Sequence, residues 1–249
     1  MTALLKGAVY FFRMVYFMKS DFLKGTAAGI PIALGYLSVS FGFGIMAQGA
    51  GISVFEAFMI SLTNLTSAGQ AQGVGIIAAG GTLLEMAAVQ LIINIRYALM
   101  ALSLSQKLDD RFTFPKRLIA AYGITDEIFA VCSTEKGKIT PNYMYGIIAI
   151  STLGWVTGTL LGAAAGEILP SSITAALGIV LYGMFLAIII PPAKKEKSIL
   201  FVVVIAALLS VLCKYVVPFL SGGFAMILCA LTATLLGALL FPEEEEDDT

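Results

Sequence analysis

Apolar positions run along this chain in long stretches that no charge interrupts. Between Lys24 and Glu56 stand 31 uncharged residues, and between Glu56 and Glu85 stand 28. Lys138 to Glu167 encloses 28 more, Glu167 to Lys194 encloses 26, and Lys214 to Glu243 encloses 28. About 20 apolar residues in a helix cross the hydrocarbon layer of a bilayer. Five such runs exceed what the core of a small globular protein can hold. The pattern therefore predicts an all-α fold, a polytopic bundle of transmembrane helices in a lipid bilayer. Spans are expected over 25–47, 83–105, 142–166, 172–191, 198–217 and 219–241. Two stretches depart from plain spans. Residues 53–84 are apolar but interrupted at Ser67-Ala68-Gly69-Gln70-Ala71-Gln72-Gly73, which sets two glycines and two glutamines at mid-depth. Residues 118–133 carry Asp126 and Glu127 in an otherwise apolar stretch, too short and too charged for a span.

Lys and Arg collect in short cytoplasmic loops, and here they fall at 6–24, 107–117, 136–138 and 194–197. If 53–84 crossed once as a simple helix, the first two clusters would face opposite sides. If 53–84 dips in and returns, and 118–133 does likewise from the other side, all four clusters share the cytoplasm. Thirteen of the 15 Lys and Arg are then inside, leaving Arg96 and Lys214. The charge count favours two broken or re-entrant helices, which are tolerated only where they line a cavity or are buried in protein. Three regions follow: a basic interfacial segment over 1–24, a transmembrane transport domain over 25–242, and an acidic, solvated tail over 243–249. Lys6, Arg13 and Lys24 share one face at 100° per residue, as an interfacial helix requires. Arg13 and Lys19 interrupt the apolar stretch there, so no cleavable signal is expected. Gly35-Tyr36 and Gly154-Trp155 stand 119 residues apart, as do Ser53-Val54 with Ala57 and Ser172-Ile173 with Ala176. An internal repeat and chance both account for that spacing.

Composition narrows the chemistry. The chain of 249 residues is 59% hydrophobic and 12% charged, with a mean hydropathy of +0.93. A net charge of −1 gives no reason to expect nucleic acid. There is no histidine, which removes the commonest metal ligand and general base. Cys132, Cys213 and Cys229 lack metal-like spacing and read as small apolar residues. No nucleotide-binding loop of the GxxxxGK[ST] type occurs, nor any recognisable zinc, Ser–Lys or Ser–His motif, so neither an enzyme nor a cofactor is expected.

The candidate chemistry lies in the interrupted stretches. Arg96 stands at the middle of its helix, where a guanidinium costs roughly 2.5–3.5 kcal/mol and needs partners or water. It is either pinned by carbonyls or a counter-charge for a substrate carboxylate, Asp126 or Glu127. Glu85 shares its face within about 20° but lies about 16 Å away along the axis, too far to pair. Gln90, Asn94 and Tyr97 occupy the opposite side, so this helix is expected to be surrounded by protein or a wet cavity. Gln70 and Gln72 either hold a zwitterion beside freed backbone groups or glue helices together. Asp126 and Glu127 point about 100° apart. One is expected to carry a proton and the other to pair with Arg96 or a loop cation, unless both are merely hydrated at the interface. With no histidine, proton coupling would have to use such a carboxylate. Gly154, Gly158, Gly162 and Gly166 form a ladder for close helix packing.

Four blocks of the sequence resemble the AzlC-type family of branched-chain amino acid exporter subunits. They are Gly29-Ile30-Pro31 through Gly35-Tyr36 to Phe41-Gly42-Phe43-Gly44, then Ser67 to Gln72, then Asn94-Ile95-Arg96-Tyr97, and Thr125-Asp126-Glu127-Ile128-Phe129. Gly154-Trp155 with Gly158 and Gly162 fits as well, and the match runs in order over about residues 25–190. The resemblance implies a transporter that works with a small AzlD-type membrane subunit. It also implies export of Val, Leu, Ile or Met across a bacterial or archaeal cytoplasmic membrane. On that reading Gln70, Gln72, Asn94 and Arg96 bind substrate, and Asp126 and Glu127 couple protons. Gly73 stands where the family often has a bulky aromatic residue, and Tyr97 where His is common, so the pocket differs in shape. A transporter or channel subunit for another small organic acid, or a structural membrane subunit, are the alternatives.

Overall fold

The computed structural model describes residues 2–170, 172, 183, 186, 189–217 and 219–241, with side chains from Ser20 onward. Among these residues the chain is all-α, and its one extended pairing is an isolated bridge between Leu108 and Ile139. The helices are α1 (Thr2–Gly49), α2 (Val54–Thr63), α3 (Ser67–Ala78), α4 (Leu83–Ser105), α5 (Phe114–Tyr122), α6 (Asp126–Thr134), α7 (Pro141–Ile168), α8 (Lys197–Val216) and α9 (Gly222–Leu240). Among the described residues, five helical stretches are long and apolar enough to cross a membrane: Ser20–Gly49, α4, α7, α8 and α9. Most of the span expected over 172–191, the second half of the 119-residue repeat match and the acidic tail lie outside the described residues. So do the side chains of Lys6 and Arg13. Helix α1 runs continuously from Thr2 into the first span.

Packing begins with α1 against α7. Both helices carry small residues along the contact, and the backbones meet. A Cβ added at Gly154, Gly158 or Gly162 would collide with backbone of Ala33, Leu37 or Phe41 respectively. The reverse holds for Gly25 against Tyr143 and for Gly44 against Thr159. Partners rise together along both helices, so α1 and α7 are parallel, and these pairs stand 115 to 121 residues apart. Tyr36 and Trp155, 119 residues apart, fall within that range. Tyr36 meets Trp155 edge-on, with ring centroids 5.2 Å apart and planes at 80°.

Interhelical contacts fix which end each element reaches. Lys107 donates to the carbonyls of Ser133 (2.6 Å) and Glu135 (2.7 Å), and Thr140 bonds Asp21 at 3.1 Å. The end of α4, the end of α6, the start of α7 and the first span thus share one end of the bundle. At the other end, Glu85 at the start of α4 accepts from the Gly223 N–H of α9 at 2.9 Å. Helices α8 and α9 run antiparallel, with Phe201 beside Phe241 and Cys213 beside Cys229. Lys24 and the clusters at 107–117, 136–138 and 194–197 therefore all lie at one end, the basic end.

That arrangement requires both short-helix pairs to return to the end from which they enter. Along α3 and α4 the contacts run antiparallel, Thr66 to Asn94 and Gly69 to Gln90. So α2 enters from the end opposite the basic one, and α3 returns to it. Pair α5–α6 does the same from the basic end. The breaks fall at 64–66 and 123–125. The first is displaced from the glycine–glutamine stretch, because Ser67–Ala78 is helical. Gly69 there makes room for the Gln90 side chain instead. Helix α4 also departs from the expectation of full enclosure: Leu91, Ile95, Leu99 and Leu102 form an exposed apolar side.

Gly162→Val is expected to destabilise the protein by at least about 1–3 kcal/mol, because the α1 backbone cannot yield. Gly75→Ala, where a Cβ meets nothing, should stabilise α3 by roughly 0.5–1 kcal/mol. Thermal melts of the two variants in detergent check both signs.

Candidate functional site

Each break is built from a threonine that starts the next helix. Thr66 is extended and its hydroxyl accepts from Gly69 N–H, and Thr125 does the same for Ile128 N–H at 3.3 Å. Such caps satisfy one of the free N–H groups of the first turn. The first break is closed further by Gln70, whose amide donates to the carbonyls of Ile60 and Asn64. Its own carbonyl oxygen accepts from Trp155 Nε1 at 3.2 Å and from Ser61 at 3.4 Å. From the second dip, the Tyr122 hydroxyl donates to Leu62 O at 2.6 Å. The two dips thus meet halfway along the bundle.

Between them lies a cavity of about 690 Å³. Its apolar wall includes Ile32, Val39, Leu65, Ile93 and Trp155, and its polar wall is Arg96, Tyr97, Asp126, Glu127, Tyr36 and Thr125. Ser67 and Ala68, the first residues of α3, also line it. Helices α3 and α6 run away from the cavity in opposite directions, so both direct their N-termini into it. The first N–H groups of a helix lack intrahelical acceptors and carry partial positive charge. Asp126 and Glu127, as the first two residues of α6, already meet that charge at one side.

The charged groups are paired across elements. Arg96 Nη2 lies 3.0 Å from Asp126 Oδ2, with both side chains about half exposed, at 48% and 50%. The guanidinium also sits 5.2 Å from the centre of the Tyr97 ring. The Tyr36 hydroxyl lies 2.6 Å from Glu127 Oε2 and 2.6 Å from Thr125 Oγ1. A phenol has one proton. Given to the carboxylate, it leaves the phenol oxygen free to accept from Thr125. Glu127 takes part in no ion pair among the described residues.

The sequence-derived candidates divide here. Arg96, Asp126 and Glu127 come together in the cavity wall. Asn94 stands behind it, accepting from Thr66 at 2.9 Å and donating to Gln90 at 3.0 Å. Gln70 is 1% exposed and holds the break together, away from the cavity lining. Gln72 lines a separate cavity between α3, α8 and α9. Sequence reasoning missed Tyr36, Trp155 and the two capping threonines. A Thr directly before a helix is a start signal, and Thr125 before Asp126-Glu127 carries it. It missed Glu85 too, which is 4% exposed and bonds Ser221 at 2.5 Å as well as Gly223.

Such a bundle, with two opposed dips around a mid-depth cavity, defines a multi-pass membrane protein with an internal cavity. The chain belongs to the AzlC family: the family model described as "AzlC protein" matches residues 31–169. It is 29% identical to the inner membrane protein YgaZ of Escherichia coli strain K12, over 72% of this chain and 76% of that protein. To an uncharacterized membrane protein of Archaeoglobus fulgidus it is 33% identical, over 70% of this chain and 76% of the relative. A Helicobacter pylori strain J99 membrane protein is 30% identical over 59% of this chain and 67% of its own length. No solved structure matches this chain. Membership in this family of membrane proteins is consistent with a transporter-type function.

A double-mutant cycle on Arg96→Ala and Asp126→Ala should return a coupling of about 0.5–1 kcal/mol in detergent melts, as a half-exposed pair allows. Strict additivity would mean that the two groups do not interact.

Proposed function

We propose that this protein is the large subunit of a secondary transporter that exports branched-chain amino acids, with the central cavity as its substrate site. The observation that carries the reading is the convergence of two helix N-termini, one guanidinium and two carboxylates on one apolar-lined cavity. A zwitterion with a branched apolar side chain needs all three surfaces at once. Its carboxylate is placed at Arg96 and the first N–H groups of α3, as half-helix N-termini hold anionic groups in transporters. Its ammonium is placed at the carboxylate side, and its side chain against Ile32, Leu65, Ile93 and Trp155. The Arg96–Asp126 pair leaves most guanidinium donors free for a second carboxylate.

Proton coupling follows from the difference between the two acids. Asp126 has a cation as its partner, whereas Glu127 has the neutral Tyr36 phenol. Glu127 is thus the group that either an ammonium or a proton can neutralise. When the amino acid leaves outward, a proton takes its place on Glu127 and is released inside on return. One carboxylate serving two cations in turn gives antiport. The basic end faces the cytoplasm of a bacterial or archaeal cell, and a small AzlD-type membrane subunit completes the transporter.

Proteoliposomes containing this chain and the small subunit are expected to accumulate leucine under a pH gradient. The chain alone should transport poorly. Glu127→Gln should keep leucine exchange but lose gradient-driven accumulation. Arg96→Ala should lower flux by ten-fold or more, as the loss of a charged hydrogen bond implies, and Arg96→Lys should restore it in part. Full gradient-driven accumulation by Glu127→Gln refutes the proton role. Absence of amino acid flux from the two-subunit vesicles refutes the transport reading.

A further inference from the structure

A second cavity, about 580 Å³ in volume, lies between α3, α8 and α9. Its polar lining includes Gln72, Ser210 and Lys214. Helix α3 connects it to the central site. Ala68 lines the central cavity and Gln72 the second one. These residues are four apart, so they share one helix face and lie about 6 Å apart along the axis. One face of a short returning helix thus borders both spaces in succession, and the second space lies toward the end opposite the basic one.

Lys214 is the anomaly at that end. Of the 15 Lys and Arg, it and Arg96 alone fall outside the four basic clusters, against the charge bias that sets membrane orientation. It forms no ion pair with the described residues. Its ammonium lies 5.9 Å from the centroid of the Tyr215 ring. The bland role for a lysine in the last turn of a helix is to face the carbonyl ends and reach for the interface. That role explains neither the cavity nor the amide and hydroxyl that share its wall.

We propose that this cavity is the outer station of the transport path, where Lys214 and Gln72 receive the carboxylate of an amino acid leaving the central cavity. The ammonium supplies a mobile point charge, which suits brief holding better than a bidentate clamp. The Gln72 amide adds a neutral donor one turn beyond the central site, so the carboxylate passes from one donor set to the next along a single helix face. The inference rests on the transport reading of the central site and assigns that path its outer end.

The test is sided leucine exchange in oriented vesicles carrying this chain with its small subunit. Lys214→Gln and Gln72→Ala are compared with Lys214→Arg. With leucine varied on the side opposite the basic end, Lys214→Gln is expected to raise the half-saturating concentration about ten-fold. Varied on the basic side, leucine should show a change of less than about two-fold, and Lys214→Arg should restore most of the outer-side affinity. Equal changes on both sides, or none on the outer side while exchange continues, would overturn the proposal. So would loss of the small subunit from the purified Lys214→Gln protein with outer-side affinity intact, which would make the cavity a subunit contact. Vesicles of the unaltered protein that exchange no amino acid would fail the transport reading itself.

Discussion

Every backbone N–H or C=O left unpaired at membrane depth costs several kcal/mol, and this chain breaks two helices there. The structure is organised around meeting that requirement. Thr66 and Thr125 cap the returning helices, Gln70 answers the carbonyls of Ile60 in α2 and Asn64 in the break, and Tyr122 reaches from the second dip to that of Leu62. Each dip therefore depends on the other and on Trp155 of α7, which holds the carbonyl of Gln70. The close α1–α7 contact is the base for this. Only with glycines at 154, 158 and 162 can the two backbones touch and bring Tyr36 and Trp155 to the same height.

The same breaks give the cavity its electrostatics. Two half-helices that start at mid-depth and run apart direct two positive ends into one space. At the α6 side the chain's own carboxylates already answer that charge, and one of them draws Arg96 across from α4. At the α3 side the first residues, Ser67 and Ala68, face the cavity with no acid beside them in the sequence. An asymmetric site results, acidic at one side and donor-rich at the other, with apolar walls between. That polarity is what supports the proposal of an amino acid zwitterion as the ligand.

Much of this was legible in the sequence, because charge placement is a strong constraint in membranes. Five of the six expected spans have counterparts within a few residues among the described helices, and the distribution of Lys and Arg favoured two dips. Arg96, Asp126 and Glu127 stood out for the same reason: a charge in an apolar run must have a partner. Uncharged polar residues were read less well. Gln70 and Gln72 look alike in sequence, yet one closes a break and the other faces a different cavity, a distinction set by helix phase and by what α4 and α7 present. The break itself sits at Asn64-Leu65-Thr66, where the signal is a capping threonine, and not at the glycines, which serve packing against Gln90. Tyr36 stood in a family block but carried no sign of a site role, because a lone tyrosine in an apolar span becomes a site residue only when α6 brings Glu127 to it.

The most direct measurement is ligand binding to the purified protein in lipid nanodiscs, comparing leucine with leucinol and 4-methylpentanoate. These analogues keep the branched side chain and remove the carboxylate or the ammonium in turn. A site with donors at one side and carboxylates at the other should bind leucine at least about ten-fold more tightly than either analogue. Arg96→Ala should abolish the preference for leucine over leucinol. Leucinol binding as tightly as leucine, with the preference unaffected by Arg96→Ala, would contradict a central cavity that reads the zwitterion.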